Sequence, residues 1–226
     1  MSAPRALRDG IVATLVVAPS VFVYGTVFGG LAVQAGLRPI ETLGMSLLVF
    51  AGAAQFAAVP MLGAGASSLT IVLTTYVINM RHYLMAATLA PAFRGFPRPW
   101  VALVAHGIND ESFAIAVARR NPPDPWFFIG SVLAVCGSFV AGVLVGTLLG
   151  GLVADPARWG LDFAFPAVFL ALAVSQLHSR ADWLAALVSA VLALGIALVL
   201  PGNWHIVITG VVVSAVGALV LDRDAA

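Results

Sequence analysis

Long apolar segments follow one another along nearly the whole sequence, and they restrict the fold more than any other feature. A helix that crosses a membrane needs about 20 mostly apolar residues, and eight segments approach that length. They are Ile11–Gln34, Thr42–Leu62, Ser67–Phe93, Trp100–Val117, Trp126–Leu152, Leu161–Leu177, Trp183–Leu200 and Ile206–Leu221. The connections are short and rich in turn-forming residues. The sequence therefore predicts a single all-α integral membrane domain over residues 1–226.

Composition supports this class, because only 9% of the residues are charged and the mean hydropathy is +1.03. A soluble domain carries about 25% charged residues. Trp100–Val117 is short and polar for a span, so we expect seven or eight transmembrane helices, with this segment broken or entering the membrane only in part. The first apolar run follows Arg5 and Arg8 but contains no cleavage-site pattern, so we expect it to be retained as a span.

The two halves of the sequence resemble each other. The residues FVYGTVFG at 22–29 match FVAGVLVG at 139–146, and each copy carries glycines four positions apart. Such glycines lie on one face of a helix and let a neighbouring backbone approach closely, most often within the same monomer. The pattern predicts an internal duplication with repeats 11–120 and 126–221, an arrangement common in transporters. Coincidence in a sequence so rich in Gly, Ala, Val and Leu is the alternative.

Charged residues lie in the middle of two consecutive apolar segments, where each costs about 2.5–3.5 kcal/mol. Arg81 is central in the first, and Asp110 and Glu111 are central in the second. These groups must pair or line a wet cavity. Arg81 can pair with one carboxylate, which leaves the other free to bind a cation or a proton. A purely structural link between helices is less favoured, because apolar packing would avoid the desolvation cost.

Uncharged polar residues and histidines accompany these charges: Gln55 lies near the centre of its own segment, and Asn79, His82, His106 and Asn109 lie in the two charged segments. His106, Asn109 and Asp110 are separated by three and four positions and so share a helix face. Amides of this kind suit the carboxylate and ammonium groups of a zwitterion. They suit hydrogen bonds between helices equally well.

Several other functions lack the residues they need. His106 and Asp110 have the spacing of metal ligands, but no second His/Cys pair accompanies them and Arg81 would repel a cation, so we expect neither metal nor cofactor. The absence of a phosphate-binding loop argues against nucleotide hydrolysis, and the net charge of +1 without a basic run argues against nucleic acid. An intramembrane enzyme built on His106, Asp110 and Glu111 lacks a well-placed nucleophile, so we expect no enzyme. A structural membrane subunit is a further alternative.

Three motifs, AGAAQF at 51–56, NMRH at 79–82 and NDESF at 109–113, resemble the AzlC/YgaZ family of branched-chain amino acid exporters in order and spacing. The resemblance covers roughly residues 25–120, and beyond it only the hydrophobic pattern agrees. It implies the large subunit of a multi-pass exporter in the bacterial inner membrane, which uses the proton gradient and works with a small AzlD/YgaH-type membrane subunit.

These residues and the resemblance together predict a secondary exporter of branched-chain or other small neutral amino acids. We expect substrate binding by Gln55, Asn79, Arg81, His82 and Asn109. Proton coupling is expected from Asp110, Glu111 and His106.

Overall fold

Every regular element in the computed structural model is helical within the residues that it describes, namely 3–119, 124–150, 179–200 and 204–224 with Leu170, Val174 and Leu177. In chain order the α-helices of this part are α1 (Ala3–Thr14), α2 (Ala18–Gln34), α3 (Pro39–Leu48), α4 (Gly52–Gly63), α5 (Ser68–Asn79), α6 (Arg81–Leu89), α7 (Arg98–His106), α8 (Asp110–Arg119), α9 (Pro125–Gly150), α10 (Arg180–Val199) and α11 (Trp204–Asp224). A 3₁₀ turn, Ala90–Phe93, follows α6.

Among the described helices, α9 and α10 are each long and apolar enough to cross a membrane alone, with 26 and 20 residues. Two bent pairs raise this number to four if each pair forms one span: α1 with α2, bent by 66°, and α7 with α8, bent by 113°. The break predicted in Trp100–Val117 is therefore confirmed. The total of seven or eight spans and the duplication stay predictions. The expected span Leu161–Leu177 lies outside the described residues except at three positions.

Two further apolar segments are interrupted where the sequence predicts continuous helices. Thr42–Leu62 forms α3 and α4, which are separated at Phe50, whose φ of 41° lies in the left-handed region. A bulky residue rarely adopts that conformation. Ser67–Phe93 forms α5 and α6, which are separated at Met80, and then the 3₁₀ turn. Hydropathy cannot reveal these breaks, because an apolar residue at a break scores like an apolar residue within a helix.

A row of glycines brings α2 and α9 into backbone contact. A Cβ atom at Gly25 would overlap the carbonyl oxygen of Phe139, and a Cβ at Gly142 would overlap that of Phe22. Gly146 similarly faces the Thr26 carbonyl, and Gly29 faces the Val143 carbonyl. We call Gly25, Gly29, Gly142 and Gly146 the glycine seam.

The glycine seam joins the two matching sequence segments, 22–29 and 139–146, to each other. Later residues of α2 meet later residues of α9, so the two helices run parallel. The contacts are also reciprocal: Gly142 faces Phe22 and Gly25 faces Phe139, while in the sequence comparison Phe22 matches Phe139 and Gly25 matches Gly142. The expectation that these glycines pack helices within the monomer is confirmed.

Helix α9 contributes to two apolar clusters and so holds the shorter helices in place. One cluster joins α2, α4 and α9 through Phe28, Phe56 and Phe139. The other joins the 3₁₀ turn, α7 and α9 through residues that include Phe93 and Phe128. The helix breaks described above lie beside these clusters, and they form the walls of the cavity described next.

Candidate functional site

A cavity of about 240 Å³ lies where the helix breaks meet. Its walls come from the first two turns of α2, the link between α3 and α4, the start of α6 and the link between α7 and α8. Val135 and Phe139 of α9 form an apolar wall. Arg81, His82, Asp110 and Glu111 supply titratable side chains, so we call this space the polar cavity.

Arg81 and Asp110 form an ion pair in the polar cavity, with 2.8 Å between Nη2 and Oδ2. This is one of the pairings that the sequence predicts. The side chains are 32% and 46% exposed, so solvent screens the pair and its contribution to stability is small. Glu111 lines the same space and forms no ion pair with any described residue. One cation therefore faces two carboxylates.

The start of α8 holds both carboxylates in place. The Oδ1 atom of Asn109 accepts the Ser112 backbone N–H at 2.9 Å, and its Nδ2 donates to the Gly107 carbonyl at 2.9 Å. This is an N-cap, which satisfies a backbone donor at the helix start. Asp110 and Glu111 occupy the first turn, where the helix dipole favours negative charge. Asn109 also lines the polar cavity, but its side chain already makes both capping bonds.

The start of α4 contributes backbone atoms, rather than charged side chains, to the polar cavity. Ala51, Gly52 and Ala53 line the polar cavity, and no side chain caps this helix. The first N–H groups of a helix lack partners within the helix, and such an end attracts anions. A Cβ at Gly52 would lie 2.7 Å from Cε1 of Tyr24, whose ring stacks on Phe56 with centroids 4.6 Å apart. Tyr24 thus covers the start of α4 closely.

His82 lines the polar cavity in a defined orientation. Its Nδ1 lies 3.0 Å from the backbone carbonyl oxygen of Asn79. Because a carbonyl only accepts hydrogen bonds, Nδ1 carries the hydrogen, and in the neutral ring Nε2 is the acceptor. Asn79 ends α5 and does not line the cavity. Its buried Oδ1 has no hydrogen-bond partner among the described residues.

Gln55 and His106 also lie outside the cavity lining. Gln55 is fully buried in α4, and neither amide atom has a partner among the described residues, a situation that costs about 1–3 kcal/mol per unsatisfied group. The exposed His106 donates from Nε2 to the carbonyl oxygen of Leu47 at 2.9 Å. Leu47 lies in the last turn of α3, so this bond ties the α7–α8 break to the α3–α4 break.

The polar cavity thus brings together five of the eight predicted site residues: Arg81, His82, Asn109, Asp110 and Glu111. It also contains residues that the sequence analysis missed, among them Ser20, Tyr24 and Phe50. The position of Tyr24 beside Gly25 in the repeated motif was an available signal for its packing. Phe50 had no such signal, because a phenylalanine in an apolar run resembles any other core residue.

Apolar helices long enough to cross a bilayer, and charged groups gathered where helices break, define a helical membrane protein built around a polar cavity. The model of one family, described as AzlC protein, matches residues 16–153, which is more than half of the chain. The chain belongs to the AzlC family. The resemblance seen in the sequence is thereby confirmed.

Relatives extend the match beyond that region. An uncharacterized membrane protein of Helicobacter pylori is 30% identical over 76% of each chain. The inner membrane protein YgaZ of Escherichia coli is 31% identical over 68% of this chain and 66% of its own. The branched-chain amino acid transport protein AzlC of Bacillus subtilis is 25% identical over 89% of this chain and 80% of its own. No solved structure matches significantly.

Proposed function

We propose that this protein is the large subunit of a secondary transporter that exports branched-chain or other small neutral amino acids across the bacterial inner membrane. Membership of the AzlC family and the name of the Bacillus subtilis relative support the substrate class. The observation that carries the proposal is the polar cavity, where Arg81, Asp110 and Glu111 offer both signs of charge. A zwitterion needs both.

In this proposal the substrate carboxylate binds between Arg81 and the uncapped start of α4. Secondary transporters often use the N-terminal end of a broken helix in this way. The Arg81 guanidinium leaves Asp110 as it engages the substrate, and Asp110 is then free to bind the ammonium group. Such an exchange keeps every charge paired during transport, which a membrane interior requires.

Glu111 is the proposed proton carrier. It lines the polar cavity and has no ion-pair partner among the described residues, so it can bind and release a proton without breaking the resting pair. In the neutral ring Nε2 of His82 is a second proton acceptor, and His82 lines the same cavity. Export driven by the proton gradient needs such a group beside the substrate.

The proposed partner is a small AzlD/YgaH-type membrane subunit, as the family resemblance implies. Helix α10 supports this assignment, because none of its residues is buried within the described part of the chain. Leu187, Val191, Leu194 and Leu198 are among its exposed apolar side chains. In the membrane such a face contacts lipid or another helix.

Counterflow of labelled leucine into proteoliposomes that hold both subunits tests the function. We expect Arg81→Ala and Asp110→Asn each to abolish it, with a folded protein retained because the pair is partly exposed. Arg38→Ala is the matched control, since it removes an exposed ion pair with Glu41 whose Nη2–Oε1 distance is 2.6 Å. Normal counterflow in both cavity variants would contradict the proposal. Chemical conversion of the amino acid by detergent-solubilised protein, with no gradient present, would indicate an enzyme instead.

A further inference from the structure

A second cavity, also of about 240 Å³, lies among α6, the 3₁₀ turn, α7 and α9. All the side chains that line it are apolar. Its inner surface is formed by the buried residues Leu89, Phe93, Ile108 and Phe128. We call it the apolar cavity. The mechanism proposed above, which involves only charged and polar groups, makes no use of it.

The apolar cavity is a neighbour of the polar cavity along the same elements. On α6, His82 lines the polar cavity and Ala86, one turn later, lines the apolar one. Between α7 and α8, Asn109 lines the polar cavity and the adjacent Ile108 lines the apolar cavity. One helical turn spans about 5.4 Å, so a small molecule bound in one space lies beside the other.

Small residues create the space, since Ala86, Ala90 and Ala105 contribute only methyl groups to its lining. The space is open at Ala90 and Ala105, which are exposed, and its volume is larger than that of an enclosed apolar cavity of about 150 Å³ that holds a benzene molecule. The side chains of valine, leucine and isoleucine contain fewer carbon atoms than benzene. Such a cavity binds no ion and holds water poorly, because it offers no polar partner.

We propose that the apolar cavity is the specificity pocket for the hydrocarbon side chain of the transported amino acid. This inference rests on the proposed function and adds to it where the side chain goes. The charged backbone groups of the substrate stay in the polar cavity, and the side chain extends along α6 from the turn of His82 to the turn of Ala86, which line the two cavities. The alternative occupant, a lipid acyl chain, would not need a cavity that adjoins the charged groups.

Filling the pocket tests the inference. Ala86→Leu should lower leucine counterflow about tenfold more than alanine counterflow, since a hydrophobic pocket discriminates by roughly 10–200-fold per methylene group. Ala87→Leu is the matched control: it places the same side chain one position along α6, at an exposed residue outside the lining. The control should keep the wild-type ratio of leucine to alanine flux.

A second variant keeps the inference testable if Ala86→Leu does not fold. Ala105→Leu fills the same cavity from α7 and should shift the ratio in the same direction. An unchanged ratio in whichever of the two variants folds would overturn the inference and is the result that lipid occupancy predicts. If the wild-type protein transported neither leucine nor alanine, the proposed function itself would be contradicted. Failure of the proposed function and failure of this inference are therefore distinguishable.

Discussion

The glycine seam and the polar cavity both adjoin α9, yet they are built on opposite principles. At the seam, two continuous helix faces meet backbone to backbone, with Gly142 and Gly146 facing the carbonyls of Phe22 and Thr26. At the cavity, the neighbouring helices are broken and α9 contributes only Val135 and Phe139 to the wall. Close approach of backbones fixes one region, and interruption of helices opens the other.

The difference shows where this protein can tolerate change. A side chain added at the seam would meet backbone atoms, which cannot rotate away. A side chain changed at the cavity meets other side chains or open space, so the fold can survive while binding changes. We therefore expect substitutions at the seam to reduce stability and substitutions at the cavity to reduce transport.

The largest effect is expected from Gly146→Ala, because the new Cβ would overlap the Thr26 carbonyl oxygen. Overpacking of this kind costs about 1–3 kcal/mol, which lowers Tm by several degrees in a protein of this size, at about 2–4 °C per kcal/mol. Thermal unfolding in detergent measures the change. Gly137→Ala, on the same helix with nothing within 4 Å of its Cβ, is the control. Equal Tm values for the two variants would contradict the claim that close backbone contact at the glycine seam makes substitutions there destabilising.

Glu111→Gln should separate coupling from binding. The glutamine keeps the shape of the side chain and cannot exchange a proton, so we expect export driven by a pH gradient to fall to background while leucine counterflow persists. Tm should stay near that of the wild type, since Glu111 has no ion-pair partner among the described residues. Loss of both transport modes together would show that Glu111 binds substrate rather than carries the proton.

Gly52→Ala should have a moderate effect that combines features of both regions. The added Cβ would lie 2.7 Å from the Tyr24 ring, and moving that ring off its preferred rotamer costs about 0.5–1.5 kcal/mol. We expect the Tm to fall by about 1–6 °C, at about 2–4 °C per kcal/mol, and the KM for leucine to rise because the displaced ring lines the polar cavity. Gly44→Ala, where nothing lies within 4 Å, should leave KM unchanged. A rise in both variants would mean that the start of α4 plays no special part.

Glu41→Gln should have the smallest effect, because Glu41 is exposed at the start of α3, away from both regions. Hydrogen bonds from the Arg38 side chain and backbone hold the pKa of the Glu41 carboxyl below its usual range. A depressed pKa stabilises the fold above the ordinary carboxyl pKa, and this contribution is lost as the pH falls through the depressed value. The Tm difference between wild type and variant should therefore be small at pH 7 and vanish in acid. A difference that grew in acid would contradict this assignment.

The sequence predicted the features that follow from a residue type and its neighbours along the chain, such as a charge within an apolar segment. The cost of a charge within an apolar segment predicted that Arg81 pairs with a carboxylate, and Arg81 pairs with Asp110. The polar centre of Trp100–Val117 predicted a break, and α7 and α8 are separated there. Fourfold glycine spacing predicted a close helix contact.

Features that arise only from tertiary contact could not be predicted in this way. The bond from His106 to Leu47 joins residues 59 positions apart, and nothing near either residue indicates the other. Substrate binding by Asn109 stays a prediction, and the sequence pattern did not indicate that the Asn109 side chain caps the start of α8. The left-handed conformation of Phe50 depends on how α3 and α4 meet, which hydropathy does not record.

The reciprocal contacts between α2 and α9 have a consequence for insertions and deletions. Each residue advances an α-helix by about 100°, so one residue added between Gly130 and Gly142 would rotate the later glycines away from α2. Gly130, which faces the Leu7 carbonyl of α1, would keep its orientation. Gly130 and Gly142 must therefore keep the same angle to each other around the axis of α9. Residues can be inserted or deleted between them only in numbers that restore this angle.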